Sequence, residues 1–495
     1  PSHTPRKAMG ALMDQLGALG LPQLNENHRA AEQLLKRLGA TFRLYNSNSE
    51  ASERILPFDP LPRLIDQQDW AVLEAGLIQR LEAIDLFLSD IYGEQKIIKD
   101  GIIPAEDILS SQGWRPQMQD VVPPLARWCH ISGLDLIRDG DGTWRVLEDN
   151  LRCPSGVAYF LENRRVMKQL FGGLFQSQRI TPIDNYASQL LQTLQEMAPW
   201  TDSPQVVLLT PGVHNSAYFE HSYLARLMGI QLVEGTDLLC EDNKVWMRST
   251  NGLERVDVIY RRIDDDFLDP NCFRSDSMLG VKGLMDSFRD GQVAIANAPG
   301  TGVADDKLIY AYVPQMIRYY LGEEAIIPNV TTFLCARPKD CLYVLEHLPE
   351  LVVKAVSEAG GYGMLIGPHA SPAEIESFSK LIQANPRNYI AQPTLQLSTV
   401  PSLSEGELYP CHVDLRPYIL RGKQSWVTAG GLTRVALKRG SLVVNSSQGG
   451  GSKDTWVVSV GQQQWNGFCW HKRKIQTQSV IASQSLEKMQ GKSVK

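Results

Sequence analysis

The sequence predicts a protein of mixed α/β and α+β build, on three observations. From residue 205 the chain alternates strand, helix and strand. From 351 to 470 it alternates apolar strands with glycine-rich turns. Between 133 and 150 an isolated hairpin pushes acids out of its apolar end. The first pattern is that of a parallel βαβ unit, and the second is that of an antiparallel sheet with helices beside it. At 495 residues the chain is long enough for two or three domains, each with a core of its own.

Residues 1 to about 50 are polar and helical in character. "WAVLEAGLIQRLEAIDLFLSDIY", Trp70 to Tyr92, repeats apolar residues at three- and four-residue intervals and predicts an amphipathic helix. The hairpin "GLDLIRDGDGTWRVLEDN" then sets two apolar strands on either side of an Asp-Gly turn at 139–142. Counting outward from that turn brings Asp135 and Glu148 close to opposite one another on one face. Two carboxylates there repel, and burying them unpaired is costly. A divalent cation relieves the repulsion, and the all-oxygen set of Asp135, Glu148 and Asn150 suits Mg²⁺. A solvated hairpin edge, with Glu148 in an ordinary salt bridge, has equal standing on the hairpin alone. "VAYFLENRRVMKQLF" continues as a helix, and the polar stretch at 176–203 reads as a link.

"QVVLLTPG" (205–212), the helix in "SAYFEHSYLARLMG", the strand "IQLVEG", a hairpin and the strand "VDVIYRR" form a unit of Rossmann type. It lacks GxGxxG, so a dinucleotide site is not indicated. Arg261 and Arg262 fall at the C-terminal end of a parallel strand, the edge at which open α/β sheets bind ligands. There they suit a substrate carboxylate, or else a salt-bridged loop with Asp264, Asp265 and Asp266. His214 and His221 share a helical face, and with no further ligand in view a structural role outweighs a metal site.

"LVVKAVSEAGGYGM" delivers Lys354 from a buried strand ahead of Gly360, Gly361 and Gly363. Glycines let successive backbone N–H groups turn toward one anion, and the lysine adds a point charge. The lysine precedes the glycines, so this is not a Walker loop. "HVDLRPYILRG" puts Asp414 and Arg416 on one strand face. "AGGLTRVAL" delivers Arg434, and a further strand end carries Asn445, Gln448 and Lys453. Several cations beside a glycine nest suit a polyphosphate or an acyl phosphate.

Bulk properties exclude other classes. A formal charge of −6 leaves no footprint for nucleic acid or an anionic membrane. No run approaches the roughly 18 apolar residues of a membrane span. The N-terminus lacks an apolar signal core, and the eight cysteines contain no CxxC pair. They read as reduced thiols of a cytoplasmic protein.

Taken in order, these pieces resemble the ATP-grasp ligases. In that superfamily a Rossmann-like domain is followed by an Asp-Lys helix start, a "VVKP" strand with a glycine-rich lid, an adenine hinge and a D-x-R strand. An Arg and Asn-Gly-Gly stretch comes next, and last a magnesium motif of the form E-x-N-x-x-PG. Here "QVVLLTPG", "DDK" (305–307), "VVKAVSEAGGYG", "YIAQPTL", "DLR", "LTR" and "NSSQGGG" run in that order, and the magnesium motif stands at 133–156, ahead of them all. The chain is therefore similar to the circularly permuted type 2 ATP-grasp family, also described as glutathionylspermidine synthase-like. "EDNLRCPSG", "YRRIDDDFLDP", "GGLTRVAL" and "VNSSQGGGSKDTWV" carry the likeness over roughly residues 55 to 460.

The resemblance implies a circularly permuted ATP-grasp fold in five parts. These are an N-terminal helical region (1–125), a permuted segment with the magnesium hairpin (126–200), a Rossmann-like domain (201–304), the ATP-grasp domain (305–465) and a polar, disordered tail (466–495). Lys307 and Lys354 would bind the nucleotide phosphates under the 360–363 loop, with Asn445 beside them. Gln392 would stand at the hinge, where many ATP-grasp enzymes carry a glutamate. Asp135, Glu148 and Asn150 would hold one or two Mg²⁺ ions. Arg434, helped by Arg416 and Arg152, would stabilise the charge that develops, and Lys453, Arg261 and Arg262 would face substrate. The implied activity joins a small-molecule or peptide carboxylate to an amine at the expense of ATP. A nucleotide-binding scaffold without turnover is the alternative. Permutation is physically reasonable because termini tend to lie close together at the surface. It predicts that residues 133–156 pair with the sheet of 410–460.

Overall fold

The early ribbon and the late sheet do pair. In the computed structural model, which describes residues 9–45, 51–177, 179–357, 363–395, 397–404, 406–437, 444 and 450–459, strand Ile131–Arg138 runs antiparallel to Glu407–Arg421. Leu136 stands opposite Leu415, and Ser132 opposite Ile419. The large sheet is ordered Phe58–Asp66, Gly451–Val458, Ser425–Val435, Glu407–Arg421, Ile131–Arg138 and Trp144–Asn150, with Thr399–Ser404 paired to one end of Glu407–Arg421. Within the ribbon Asp135 faces Glu148, and the register shifts just beyond that pair.

Two glycines show how closely these strands approach. A Cβ on Gly431 would lie 2.3 Å from the Arg416 carbonyl oxygen, and one on Gly133 would lie 3.2 Å from Pro154 Cβ. Gly431→Ala is expected to destabilise the protein by about 1–3 kcal/mol through overpacking. A lower urea midpoint at unchanged slope checks this.

The N-terminal region is not helical throughout. Helices Gly10–Leu19 and Leu21–Arg37 precede a hairpin of Thr41–Tyr45 with Ala51–Ile55. Phe58–Asp66 then becomes an edge strand of the large sheet, parallel to Gly451–Val458. Its sequence, "FDPLPRLID", hides the strand because Pro60 and Pro62 cannot donate to a ladder, which is tolerable only at an edge. Asp66 ends the strand and caps the next helix, accepting from Gln68 N at 2.8 Å. That helix, Gln67–Ile91, buries Leu73, Leu77, Leu81, Ile84 and Leu88 and packs across Ser425–Val435.

The Rossmann-type unit is a four-stranded parallel sheet, ordered Ala294–Ala296, Val258–Arg261, Val206–Leu209 and Gln231–Val233. Helix Tyr218–Met228 links the last two in space and ends on Gly229 in the left-handed region. The polar stretch expected as a link contains a helix, Tyr186–Gln195, with Leu190 and Leu194 buried.

The stretch from 351 onward divides between two sheets. Leu351–Ala355 belongs to a separate antiparallel sheet with Phe333–Leu334, Tyr389–Pro393 and Met364–Ile366. Helix Pro372–Ala384 covers it and opens with a Ser371–Glu374 capping box. The lysine sheet and the arginine sheet thus approach the same space from different directions. Residues 9–459 fall in one compact unit, while Gly360, Gly361, Asn445 and the 466–495 tail lie outside the described residues. No helix among the described residues is long and apolar enough to cross a membrane.

Candidate active site

Asp135 organises the arginines. It is 1% exposed and accepts Arg416 Nε and Nη2 at 2.6 and 2.8 Å and Arg434 Nη2 at 2.6 Å. Asp414, opposite Arg434 in the ladder, takes Arg434 Nε at 3.0 Å. Two carboxylates and two guanidiniums therefore close a buried, charge-balanced quartet. Burial disfavours the Asp135 anion, but Arg416 and Arg434 outweigh it and hold the carboxyl well below the usual range. For Asp414 burial wins over Arg434, and its pKa rises. The repulsion expected between Asp135 and Glu148 is thus relieved by arginine. Asp135 has both oxygens engaged and is not among the residues lining the cleft.

Glu148 does line it. Its carboxylate is 25% exposed, 3.5 Å from Lys307 Nζ and 4.0 Å from Arg416 Nη2. Asn150, two residues along the same strand, carries a buried Nδ2 with no partner. Lys307 begins a short helix whose cap, Asp306, accepts from Leu308 N at 2.9 Å. Lys354 reaches in from the second sheet and donates to Gln392 Oε1 at 2.9 Å. Burial lowers its pKa to about 8, with Glu148 opposing and Lys307 adding to the drop. Gln392 is itself buried and donates to Thr332 Oγ1 at 3.1 Å. It thus fixes Lys354 at the expected hinge through one bond from each end of its amide. Gly363 sits at a positive φ of 63° just before Met364, where the loop re-enters the sheet.

Glu148, Asn150, Arg152, Lys307, Arg416 and Arg434 line a cleft of about 590 Å³, and Lys354 stands behind its wall, near enough for Glu148 and Lys307 to act on its charge. That volume is within the range of small-molecule sites. Arg152 pairs with Asp264 at 3.3 Å and Asp305 at 3.8 Å. Asp305 Oδ1 also accepts the N–H groups of Leu151 and Arg152, at 2.6 and 3.2 Å, and so fixes the loop that follows the ribbon. Burial pushes its pKa up to about 6, with Arg152 opposing. Sequence reasoning missed Asp305. It also missed Ser111, Gln112, Gly113 and Arg115, which bring the N-terminal region into the cleft wall. They lie in a loop without periodicity, and the only local signal is a glycine. A Cβ on Gly113 would stand 2.2 Å from the Gly302 carbonyl carbon.

Three expected substrate residues are spent on internal partners. Lys453 is fully buried, bonded to Asp59 and donating to Pro401 O at 3.0 Å and Ser402 Oγ at 3.1 Å. Arg261 holds Asp265 at 2.7 Å and donates to the carbonyls of Asn297 and Ile263. Arg262 holds Glu220 at 2.9 Å and donates to Pro154 O at 2.6 Å and Tyr260 Oη at 3.1 Å. Burial of a cation demands such pairing, so none of the three is a free carboxylate receptor. His221 is likewise structural, its Nδ1 lying 2.9 Å from Thr210 Oγ1.

Of the three expected metal ligands, Glu148 and Asn150 face the cleft, and their oxygens fit a hard cation such as Mg²⁺. Asp135 could join them only if an arginine let go of one of its oxygens. Among the described residues no cluster of three or more His, Cys, Asp or Glu side chains forms a self-sufficient metal cage.

A ribbon carrying Glu148 and Asn150, paired into an arginine-bearing sheet and facing Lys307 across one cleft, is the arrangement of an ATP-grasp fold. The chain belongs to the circularly permuted ATP-grasp type 2 family, which it matches over residues 62–436. An uncharacterised protein of Synechocystis is 58% identical over 461 residues, which is 93% of this chain and 96% of that protein. A Frankia casuarinae protein named "putative glutamate–cysteine ligase 2-2" is 44% identical over 450 residues, covering 90% of this chain but 52% of that protein. Its name thus belongs to a protein nearly twice the length of the match. A solved glutathione synthetase-like effector from Globodera pallida superposes with a TM-score of 0.57 at 11% identity, over 88% of this chain and 96% of that one. At that identity it speaks for the fold.

Proposed function

We propose that the protein is an ATP-dependent carboxylate–amine ligase working through an acyl phosphate. The observation that carries this reading is the position of Glu148 and Asn150, on one strand beside both Lys307 and Arg416. Lys307 and Lys354 would hold the nucleotide phosphates from two sides. Glu148 and Asn150 would hold magnesium, which when bound neutralises charge on the β- and γ-phosphates. An oxygen of the carboxylate substrate attacks the γ-phosphorus, and the β–γ bond breaks with its electrons going to ADP. Arg434 and Arg416, fixed by Asp135, and Arg152 in the loop that follows the ribbon would stabilise the oxygens that gain charge. The amine nitrogen then attacks the acyl carbon, phosphate leaves with the C–O electrons, and the amine loses a proton to phosphate or solvent. No protein nucleophile is needed. The name of the Frankia relative and the family both support C–N bond formation.

ADP release across a panel of amino acids, peptides and polyamines tests the proposal. Tight Mg-ATP binding with no turnover on any member would count against it. One observation favours a second reading, an ATP-binding scaffold without chemistry: Asp135 is already tied to arginines.

The lysine supplies a separate check. Below about pH 8 Lys354 is charged with or without nucleotide, and above it the free protein carries the neutral amine. A bound triphosphate favours the ammonium, so binding should take up a proton only on the alkaline side. Calorimetry in two buffers of different ionisation enthalpy is expected to show uptake near pH 8.5 and little from this group near pH 6.5. Lys354→Arg should abolish the difference.

A further inference from the structure

The three arginines that line the cleft are held in different ways. Arg416 and Arg434 are locked by the buried carboxylates of Asp135 and Asp414, at 2.6 to 3.0 Å. Arg152 has only looser contacts. Its Nε lies 3.3 Å from Asp264 and 3.8 Å from Asp305, and its side chain is 41% exposed. Of the three, it alone can change partners without breaking a buried ionic network, which is costly.

The charges around Arg152 do not balance. Arg115 takes Asp266 at 2.9 Å, Arg261 takes Asp265 at 2.7 Å and Arg262 takes Glu220 at 2.9 Å. That leaves Arg152 to serve both Asp264 and Asp305. Burial works against the Arg152 cation, yet Asp305 and Asp264 outweigh it and raise its pKa. Were the guanidinium to turn away, Asp305 would keep the backbone N–H groups of Leu151 and Arg152. Asp264 would keep nothing, because among the described residues its carboxylate has no other partner. That carboxylate is 47% exposed and lines the cleft.

A substrate that took only Arg152 would leave an uncovered anion beside itself. One that brought its own cation would replace what it removed. An α-amino acid carries opposite charges on adjacent carbons and fits an opened ion pair head to tail, its carboxylate on the guanidinium and its ammonium on the aspartate. We propose that Arg152 and Asp264 together receive an α-amino acid that reacts through its α-carboxylate, so that the carboxylate substrate is a free amino acid rather than a peptide C-terminus or another N-acylated acid. The inference rests on the ligase reading. Asp264 acts as a specificity residue, and because water also reaches it the selectivity it confers is severalfold rather than absolute.

The test uses the full chain with Mg-ATP and hydroxylamine, which intercepts an acyl phosphate as a hydroxamate whatever the natural amine. Amino acids with small, apolar, acidic and basic side chains are each compared with two analogues of the same side chain. One is the 2-hydroxy acid, which carries a hydroxyl in place of the ammonium, and the other is the N-acetyl derivative. Wherever a set reacts, kcat/KM for the amino acid is expected at least fivefold above that for both analogues. Asp264→Asn should bring the ratio to within twofold of one, through KM, and Asp264→Glu, which keeps the charge, should retain most of it. An unchanged melting transition reports that the variants fold. Analogues used as well as the amino acid, a ratio that Asp264→Asn leaves in place, or hydroxamate formed on a side-chain carboxylate overturns the inference while leaving the ligase reading intact. Should no acceptor turn over, calorimetry with a non-hydrolysable ATP analogue decides. An amino acid bound at least fivefold tighter than its 2-hydroxy counterpart, with the difference lost in Asp264→Asn, keeps the receptor and sinks the ligase. No such difference sinks the inference.

Discussion

Glu148→Gln is expected to reduce ADP release by about 10²–10³-fold, in keeping with the loss of one preorganised charge at a transferring group. The substitution keeps the shape of the side chain and removes only its negative charge. Three consequences follow from the surroundings of Glu148. The pair of Glu148 and Asn150 loses its anion and keeps only neutral amide oxygens, so magnesium affinity should fall. Lys307, 3.5 Å away, loses its counter-charge in the free protein. Lys354 loses the carboxylate that supports its ammonium, so its pKa should drop further below about 8, and proton uptake on Mg-ATP binding should begin at lower pH. Stability should change little, because the side chain is 25% exposed and Asp135 keeps both arginines. Steady-state ADP release, a magnesium titration and a thermal melt measure all of this. Turnover at the wild-type level would remove Glu148 from the chemistry and favour a different metal arrangement. Turnover lost together with the melting transition would mean that the residue is structural.

Much of this site could be read in the chain because it is built from local rules. An Asp-Gly turn fixes a ribbon's register, so the opposition of Asp135 and Glu148 followed from counting. The spacing of two between Asp414 and Arg416 placed both on one face, and both do belong to the arginine quartet. Periodicity located the helix Gln67–Ile91, and the strand–helix–strand run located the parallel sheet. The pairing of the ribbon with Glu407–Arg421 is not local at all, and it was reached through the order of the motifs.

What could not be read is how each charge is satisfied. Asp135 and Glu148 look alike in sequence, yet one is closed off by Arg416 and Arg434 while the other faces the cleft. That difference depends on partners from strands far away in the chain. Arg261 takes the salt-bridged alternative that the neighbouring aspartates offered, pairing with Asp265 four residues on, whereas the partners of Arg262 and Lys453, Glu220 and Asp59, lie in parts of the chain that no spacing connects to them. Gln392 was expected at the hinge, and its hydrogen bond from Lys354 across the sheet had no sequence signal. The wall formed by Ser111 to Arg115 had no pattern to betray it.

The buried Lys453–Asp59 pair gives the second large effect. Lys453→Met should destabilise the protein by about 3–5 kcal/mol, because removing one member of a buried ion pair leaves the other charge uncompensated. Both residues are 0% exposed, and they join the edge strand Phe58–Asp66 to Gly451–Val458. Asp59 has further work, accepting the N–H groups of Leu61 at 3.0 Å and Leu403 at 3.3 Å. An asparagine oxygen can go on accepting those bonds without charge. The double variant Asp59→Asn/Lys453→Met should therefore recover most of the loss, and its coupling in a urea-denaturation cycle should be strongly favourable. Nucleotide affinity of the folded double variant should match the wild type, because neither side chain lines the cleft. The opposite result, a Lys453→Met protein as stable as the wild type but weak in ATP binding, would return Lys453 to the list of ligands. The edge strand would then lack its proposed anchor. The cost falls on stability because a lysine with no route to solvent cannot trade its partner for water, whereas one at the rim of a cleft can.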